Sequence, residues 1–90
     1  MSIISDFQIT QCPIKIGRNN DCEIRFDESS LSRYHCRIEY SSENWILKDG
    51  EESKPSVNGT WLFVDEPFAL TDELIIKAGQ TLFRVFILLV

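Results

Sequence analysis

The chain has few of the features that would make it an enzyme, a metal protein or a nucleic-acid binder. It is 90 residues long with three cysteines, Cys12, Cys22 and Cys36. Three is an odd number, and no two of them have C-x-x-C spacing. A disulfide framework or a cysteine-based metal site therefore has little support, and the residues read as buried free thiols. Free thiols suit a reducing compartment, so an intracellular location, cytoplasm or nucleus, is expected. Basic residues are also scarce: nine Lys and Arg stand against fourteen Asp and Glu, for a net charge of -5. With a pI of about 4.7, the surface is unsuited to nucleic acid, where Lys and Arg must neutralise many phosphates. One phosphate group needs only a local basic cluster and stays compatible with that total. No sustained apolar stretch approaches a membrane span; the longest run, Val85 to Val90, is six residues. The start, Met1 to Asp6, has no basic segment followed by an apolar core, so no signal peptide is read there. No internal repeat, linker or low-complexity segment interrupts the chain. A G-x-S-x-G elbow, metal-ligand spacing, a nucleotide loop and a paired acid–base constellation are all missing, so no catalytic residue, metal or cofactor is expected.

The pattern that is present has period two. Cys22, Ile24 and Phe26 alternate with Glu23, Arg25 and Asp27, and Cys36, Ile38 and Tyr40 alternate with Arg37, Glu39 and Ser41. Each stretch gives one apolar and one polar face, the mark of a half-buried antiparallel strand. Ile14 and Ile16 flank Lys15, and Trp45 to Leu47 precedes the polar Lys48-Asp49-Gly50. Further strands are expected at Phe7 to Thr10, Trp61 to Val64, Glu73 to Lys77 and Thr81 to Leu89. The last is apolar on both faces and is expected to be a central or doubly covered strand. Turn residues separate these runs, and no stretch holds helical spacing for three turns. The expectation is one all-β domain over residues 1–90, a two-sheet antiparallel β-sandwich. Its apolar C-terminal strand suggests a module of a longer protein.

Three short pieces lie where the alternating runs stop. In Gly17-Arg18, glycine permits a close backbone approach, and arginine offers a planar fork of donors matched to phosphate oxygens. Taken alone, the pair is better explained as a turn glycine beside a solvated arginine. In Ser32-Arg33-Tyr34-His35, the serine hydroxyl and loop N–H groups can donate to an anion, Arg33 adds charge, and His35 is placed to brace the loop. Asn58-Gly59-Thr60 carries the Asn-Gly pair that favours a hairpin turn, and Asn58 could pair with a peptide main chain. The same tripeptide fits the glycosylation acceptor pattern, which is incidental in a chain with no signal peptide.

In this order the three pieces resemble the forkhead-associated (FHA) domain, whose pattern is Gly-Arg, then Ser-x-x-His about fifteen residues on, then Asn-Gly-Thr two strands later. Asn20 to Ile24, Trp45 to Asp49, and Asp72 to Ile75 with Gly79 also resemble it, and the resemblance covers roughly Ile14 to Leu88. It implies a β-sandwich that binds phosphothreonine through loops at one end. Carried over residue by residue, it implies that Arg18 and Ser32 bind the phosphate, with Arg33 a further contact. Asn58 would pair with the peptide backbone, and Val57 would take part beside it. Gly17, His35, Gly59 and Thr60 would shape the loops. The family's preference for phosphothreonine comes from a small methyl pocket; one buried methyl is worth only ~0.8 kcal/mol, so conformational restriction must add to it. Three departures stand out. Ser56-Val57 replaces the family's usual Ser-Thr, which removes a hydroxyl. The Asp49 to Asn58 loop is longer than usual, and its Glu51-Glu52 would repel a nearby phosphate while Lys54 offsets them. Phe63 to Pro67 stands where a second Asn-Gly is common. Ser30 and Lys54 are candidates for setting the flanking preference.

The expected partner is therefore a phosphothreonine-containing protein or peptide, with no direct nucleic acid and no membrane, bound by a monomer that mediates signalling interactions. The alternative is a phosphate-independent interaction domain that uses an exposed strand face or the 49–58 loop, with Trp45 and Trp61 as anchors.

Overall fold

The computed structural model describes residues 7–88. The chain divides into two compact units, one ending at Thr60 and the other beginning at Trp61. The described residues contain two β-sheets and no α-helix.

The first unit holds a four-stranded sheet of β1 (Ile14–Gly17), β2 (Ile24–Arg25), β3 (Cys36–Ser41) and β4 (Asn44–Asp49), in the order β2-β1-β3-β4. The alternation in the sequence fixes its register. Ile14 faces Ile38 and Ile16 faces Cys36 in the antiparallel β1–β3 pair, which keeps apolar side chains on one face. Ile14 is completely buried, with Cys22 and Cys36 nearly so. All three cysteines are free thiols. Burial raises the pKa of the Cys22 and Cys36 thiols, which keeps them protonated and unreactive.

β3 and β4 are joined by a two-residue turn, Ser42-Glu43, with φ of 51° and 65°. Positive φ at both positions belongs to the I′ turn that suits the twist of paired strands. Tyr40 and Trp45 face each other beside this turn and pack edge to face, with ring centroids 5.3 Å apart.

The second unit contributes the antiparallel hairpin of β5 (Ile75–Ala78) and β6 (Thr81–Arg84). Gly79, the first of its two loop residues, has φ +60°, as a II′ turn requires. Glu73 N–H donates to Val85 O at 2.7 Å and Val85 N–H donates to Leu74 O at 2.9 Å, which closes the base of the hairpin.

Several local expectations are corrected. Phe7 to Thr10 is no strand; Ile9–Gln11 is a 3-10 turn, closed by Gln8 N–H donating to Gln11 Oε1 at 2.6 Å. β2 is confined to Ile24–Arg25 and pairs with β1 in parallel, Ile16 against Ile24, because the turn at residues 19–21 carries the chain back before β2 begins. Trp61 to Val64 forms no ladder, so Asn58-Gly59 does not close a hairpin. The run from Glu73 begins as strand only at Ile75. The run from Thr81 is strand only to Arg84; its end at Leu89 lies outside the described residues, as do the start Met1 to Asp6 and the last residue of the Val85–Val90 run. β6 is neither central nor doubly covered: among the described residues β5 is its one strand neighbour, which makes it an edge strand, and all four of its residues are exposed. Among the described residues no helix is long and apolar enough to cross a membrane.

Candidate functional site

The site is built where β1 ends against the loop that precedes β3. Gly17 is buried, and a Cβ placed there would lie 2.1 Å from Arg33 O and 2.9 Å from Ser32 O. Only glycine permits that approach. It lets Arg18 N–H donate to Ser32 O at 3.3 Å and Asn19 N–H donate to Arg33 O at 3.1 Å. The Gly17-Arg18 and Ser32-Arg33 segments, well separated in sequence, are thus joined through their backbones. Arg18 is steered by its own Nε–H, which donates to Leu31 O at 2.5 Å. This fixes the guanidinium plane and leaves the terminal nitrogens to reach outward.

His35 is buried with 7 % of its surface exposed. Ser32 N–H donates to its Nδ1 at 3.0 Å, so Nδ1 is the acceptor and Nε2 carries the proton, which goes to Gly59 O at 2.8 Å. One neutral imidazole therefore ties the Ser32 loop to the Asn58-Gly59-Thr60 segment. Asn58 reinforces the tie, with Nδ2 donating to Ser30 O at 2.8 Å.

Ser32 Oγ accepts from Val57 N–H at 3.0 Å, which keeps the hydroxyl proton available to donate elsewhere. Val57 acts here through its backbone, so the missing hydroxyl of a threonine at this position costs this contact nothing. Val57 is 82 % exposed.

Asp49 and Ser56 organise the third segment. Ser56 N–H and Oγ–H donate to the Asp49 carboxylate at 3.0 and 2.6 Å, and Thr60 Oγ1–H adds a third bond at 2.7 Å. Ser56 Oγ in turn accepts from Gly59 N–H at 2.9 Å, and Gly59 has φ +80°. Burial works to raise the Asp49 pKa, but the bonds from Ser56 and Thr60 outweigh it and the net direction is down. No reading of the sequence singled out Asp49 or Ser56 for this role. The available signal was a carboxylate at a strand end followed by two hydroxyl residues bracketing Asn-Gly.

A parallel network steadies the turn after β1. Tyr34 O–H and Asn19 Nδ2–H both donate to Asp21, which also pairs with Lys15 Nζ at 2.9 Å. The bonds from Asn19, Lys15 and Tyr34 hold the Asp21 carboxyl well below the usual carboxylate range.

These loops enclose a cleft of about 340 Å³ lined by Arg18, Ser32, Arg33, Lys54 and Val57, with Tyr34, Glu51 and Pro55 completing its wall. Of the expected contact residues, Arg18, Ser32, Arg33 and Val57 line it. Asn58 does not; it braces the loop behind. Among the described residues Arg18, Arg33 and Lys54 form no ion pair. Three cations and a hydroxyl donor around one cleft, with Glu51 the one carboxylate among its lining residues, are a donor set suited to an anion. Among the described residues no group of His, Cys, Asp and Glu could hold a metal ion.

Comparison with family models finds the FHA domain over residues 14–79, a range that contains Gly17-Arg18, Ser32 to His35 and Asn58 to Thr60. Comparison with curated proteins and with solved structures finds no match. That family match takes in most of the chain and all three loop segments just described. The chain belongs to the FHA family of phosphopeptide-binding modules.

Proposed function

We propose that this chain binds phosphothreonine in a peptide or protein partner, with the phosphate in the cleft between Arg18 and Ser32. The observation that carries the reading is the set of three cations, Arg18, Arg33 and Lys54, without an ion pair among the described residues and gathered at one cleft of a chain with net charge -5. In the bound state the outer nitrogens of Arg18 donate to two phosphate oxygens, Ser32 Oγ–H donates to one, and Arg33 adds long-range attraction. Val57, beside Ser32, borders the path of the peptide, and Asn58 pairs with the peptide main chain next to the phosphothreonine. Gly17, His35, Gly59 and Thr60 keep the loops in place, so the donors are arranged before the ligand arrives.

The test is isothermal titration of the 90-residue chain with a phosphothreonine peptide library and its dephosphorylated counterpart. A charge-assisted hydrogen bond is worth about 1.5–3 kcal/mol, so Arg18→Ala weakens binding by roughly 10- to 150-fold. Equal affinity for phosphorylated and dephosphorylated peptides would overturn the reading and favour a phosphate-independent interaction domain. Undiminished binding by Arg18→Ala would also overturn it.

A further inference from the structure

A second, larger cavity of about 500 Å³ shares the wall of the anion cleft: Tyr34 and Glu51 line both. The shared wall is a closed turn. Glu51 N–H donates to Lys54 O at 2.9 Å and Lys54 N–H to Glu51 O at 3.4 Å. The turn is held to β3, because Gly50 N–H donates to His35 O at 2.7 Å and Arg37 Nη1 donates to Gly50 O at 2.7 Å. Gly50 has φ +63°, and a Cβ there would lie 2.3 Å from Lys54 O. The longer 49–58 loop is therefore folded back on itself and anchored, with its acidic residues at a fixed place beside the anion cleft.

The charges around this cavity do not cancel. Of its two lining cations, Lys15 is paired with Asp21 at 2.9 Å, and Arg37 with Glu39 at 2.7 Å and Glu52 at 3.6 Å. Glu39 has a second cation, Lys48, at 3.0 Å. Among the described residues Glu51 has no ion-pair partner, and the Glu52 side chain, 90 % exposed, has one ion pair, its long contact to Arg37. The cavity is left with negative charge next to a cleft left with positive charge.

We propose that this cavity receives the side chain of a lysine or arginine flanking the phosphothreonine, with Glu51 and Glu52 as the residues that set this preference. The inference rests on the phosphothreonine reading of the neighbouring cleft. The aliphatic stem of such a side chain packs against Tyr34 while its charged head meets Glu51. The same carboxylates reject an acidic flank or a second phosphate.

The test uses fluorescence anisotropy of the full 90-residue chain with phosphothreonine peptides in an alanine background. Lys, Ala or Glu is placed in turn at each flanking position. At one position Lys is preferred over Glu by roughly tenfold at low salt, the scale of one or two exposed charge pairs, and the ratio shrinks as salt is added. In Glu51→Gln/Glu52→Gln that ratio falls below about twofold. The ratio cancels any general change in phosphate affinity, and urea denaturation checks that the variant is folded. Binding without charge preference at any position overturns this inference alone, as does an unchanged Lys-to-Glu ratio in the double variant. Failure of every phosphopeptide to bind the wild-type chain overturns it together with the phosphothreonine reading.

Discussion

Replacing Gly17 by alanine tests the backbone junction on which the cleft depends. The new Cβ would stand 2.1 Å from Arg33 O, 2.8 Å from Arg33 C and 2.9 Å from Ser32 O. All three are backbone atoms, so no flexible side chain can swing aside. Restoring ordinary contact needs a displacement of roughly 1 Å. That movement breaks the bonds from Arg18 N–H to Ser32 O and from Asn19 N–H to Arg33 O. Two such bonds contribute about 0.5–1.5 kcal/mol each, and overpacking adds roughly 1–3 kcal/mol. Reduced freedom of the unfolded chain returns only about 0.4–1 kcal/mol. The net expectation is a loss of about 1–6 kcal/mol, centred on about 3 kcal/mol, a large share of the stability of a small domain. Urea denaturation reads it as a lower midpoint with the slope unchanged. Gly79→Ala is the contrasting control: its φ is +60° with no atom within 4 Å, so only backbone strain of about 1 kcal/mol is expected. A Gly17→Ala loss no larger than that of Gly79→Ala would refute the close-approach reasoning.

Three further outcomes follow from the same geometry. His35→Ala removes the acceptor of Ser32 N–H and the donor to Gly59 O; a loss of about 2–4 kcal/mol in urea is expected, and a loss below about 1 kcal/mol would contradict the bracing role. Ser42→Asn/Glu43→Gly places the residues that an I′ turn favours where φ is already positive at both positions, so thermal unfolding should show a gain of about 1 kcal/mol; a lower melting temperature would count against that turn assignment. Asp21 and Asp49 both have lowered pKa values in the folded chain, so their contribution is present above the unfolded value of 3.8 and is lost as pH falls through the folded values. Circular dichroism on acidification should therefore show stability nearly flat down to about pH 4 and falling below it, and a steep loss between neutrality and that point would show other groups in control.

Strand positions were legible where a run of alternating residues had a partner of the same kind close in sequence. β3 and β4 are such a pair, with Cys36, Ile38 and Tyr40 set against Asp49, Leu47 and Trp45. Trp61 to Val64 has equally strong β-forming residues but no ladder, because a strand needs a partner as well as propensity. The parallel pairing of β2 was hidden for a related reason: alternation says which face is apolar and nothing about strand direction. At the site, the resemblance to the FHA pattern, carried by the ordered set of short motifs, singled out Gly17, Arg18, Ser32 and His35. Spacing could not bring out Asp49. An aspartate at the end of a strand is ordinary until the fold sets Ser56 and Thr60 against it. Asn58 adds a tie that its residue type alone did not announce: its amide also donates to Ser30 O.

The acidity of the chain is compatible with the anion binding proposed for its cleft because charge acts locally at the distances involved. Beyond about 8–10 Å, ionic screening leaves little of the net charge of -5 for a bound phosphate to feel. Within that range the neighbours of the cleft decide. Several of the nearby carboxylates are already engaged: Asp21 by Lys15, Tyr34 and Asn19, Asp49 by Ser56 and Thr60, and Glu28 by Ser30. These carboxylates keep their charge, but their oxygens are turned to donors in the loops, and among the described residues none pairs with Arg18, Arg33 or Lys54. The bonds they accept stiffen the loops that carry the three cations. Glu51 is the exception on the cleft wall, a carboxylate without an ion pair among the described residues. Its anchored turn gives that exception a fixed location, so its effect on a ligand depends on which residue flanks the phosphate.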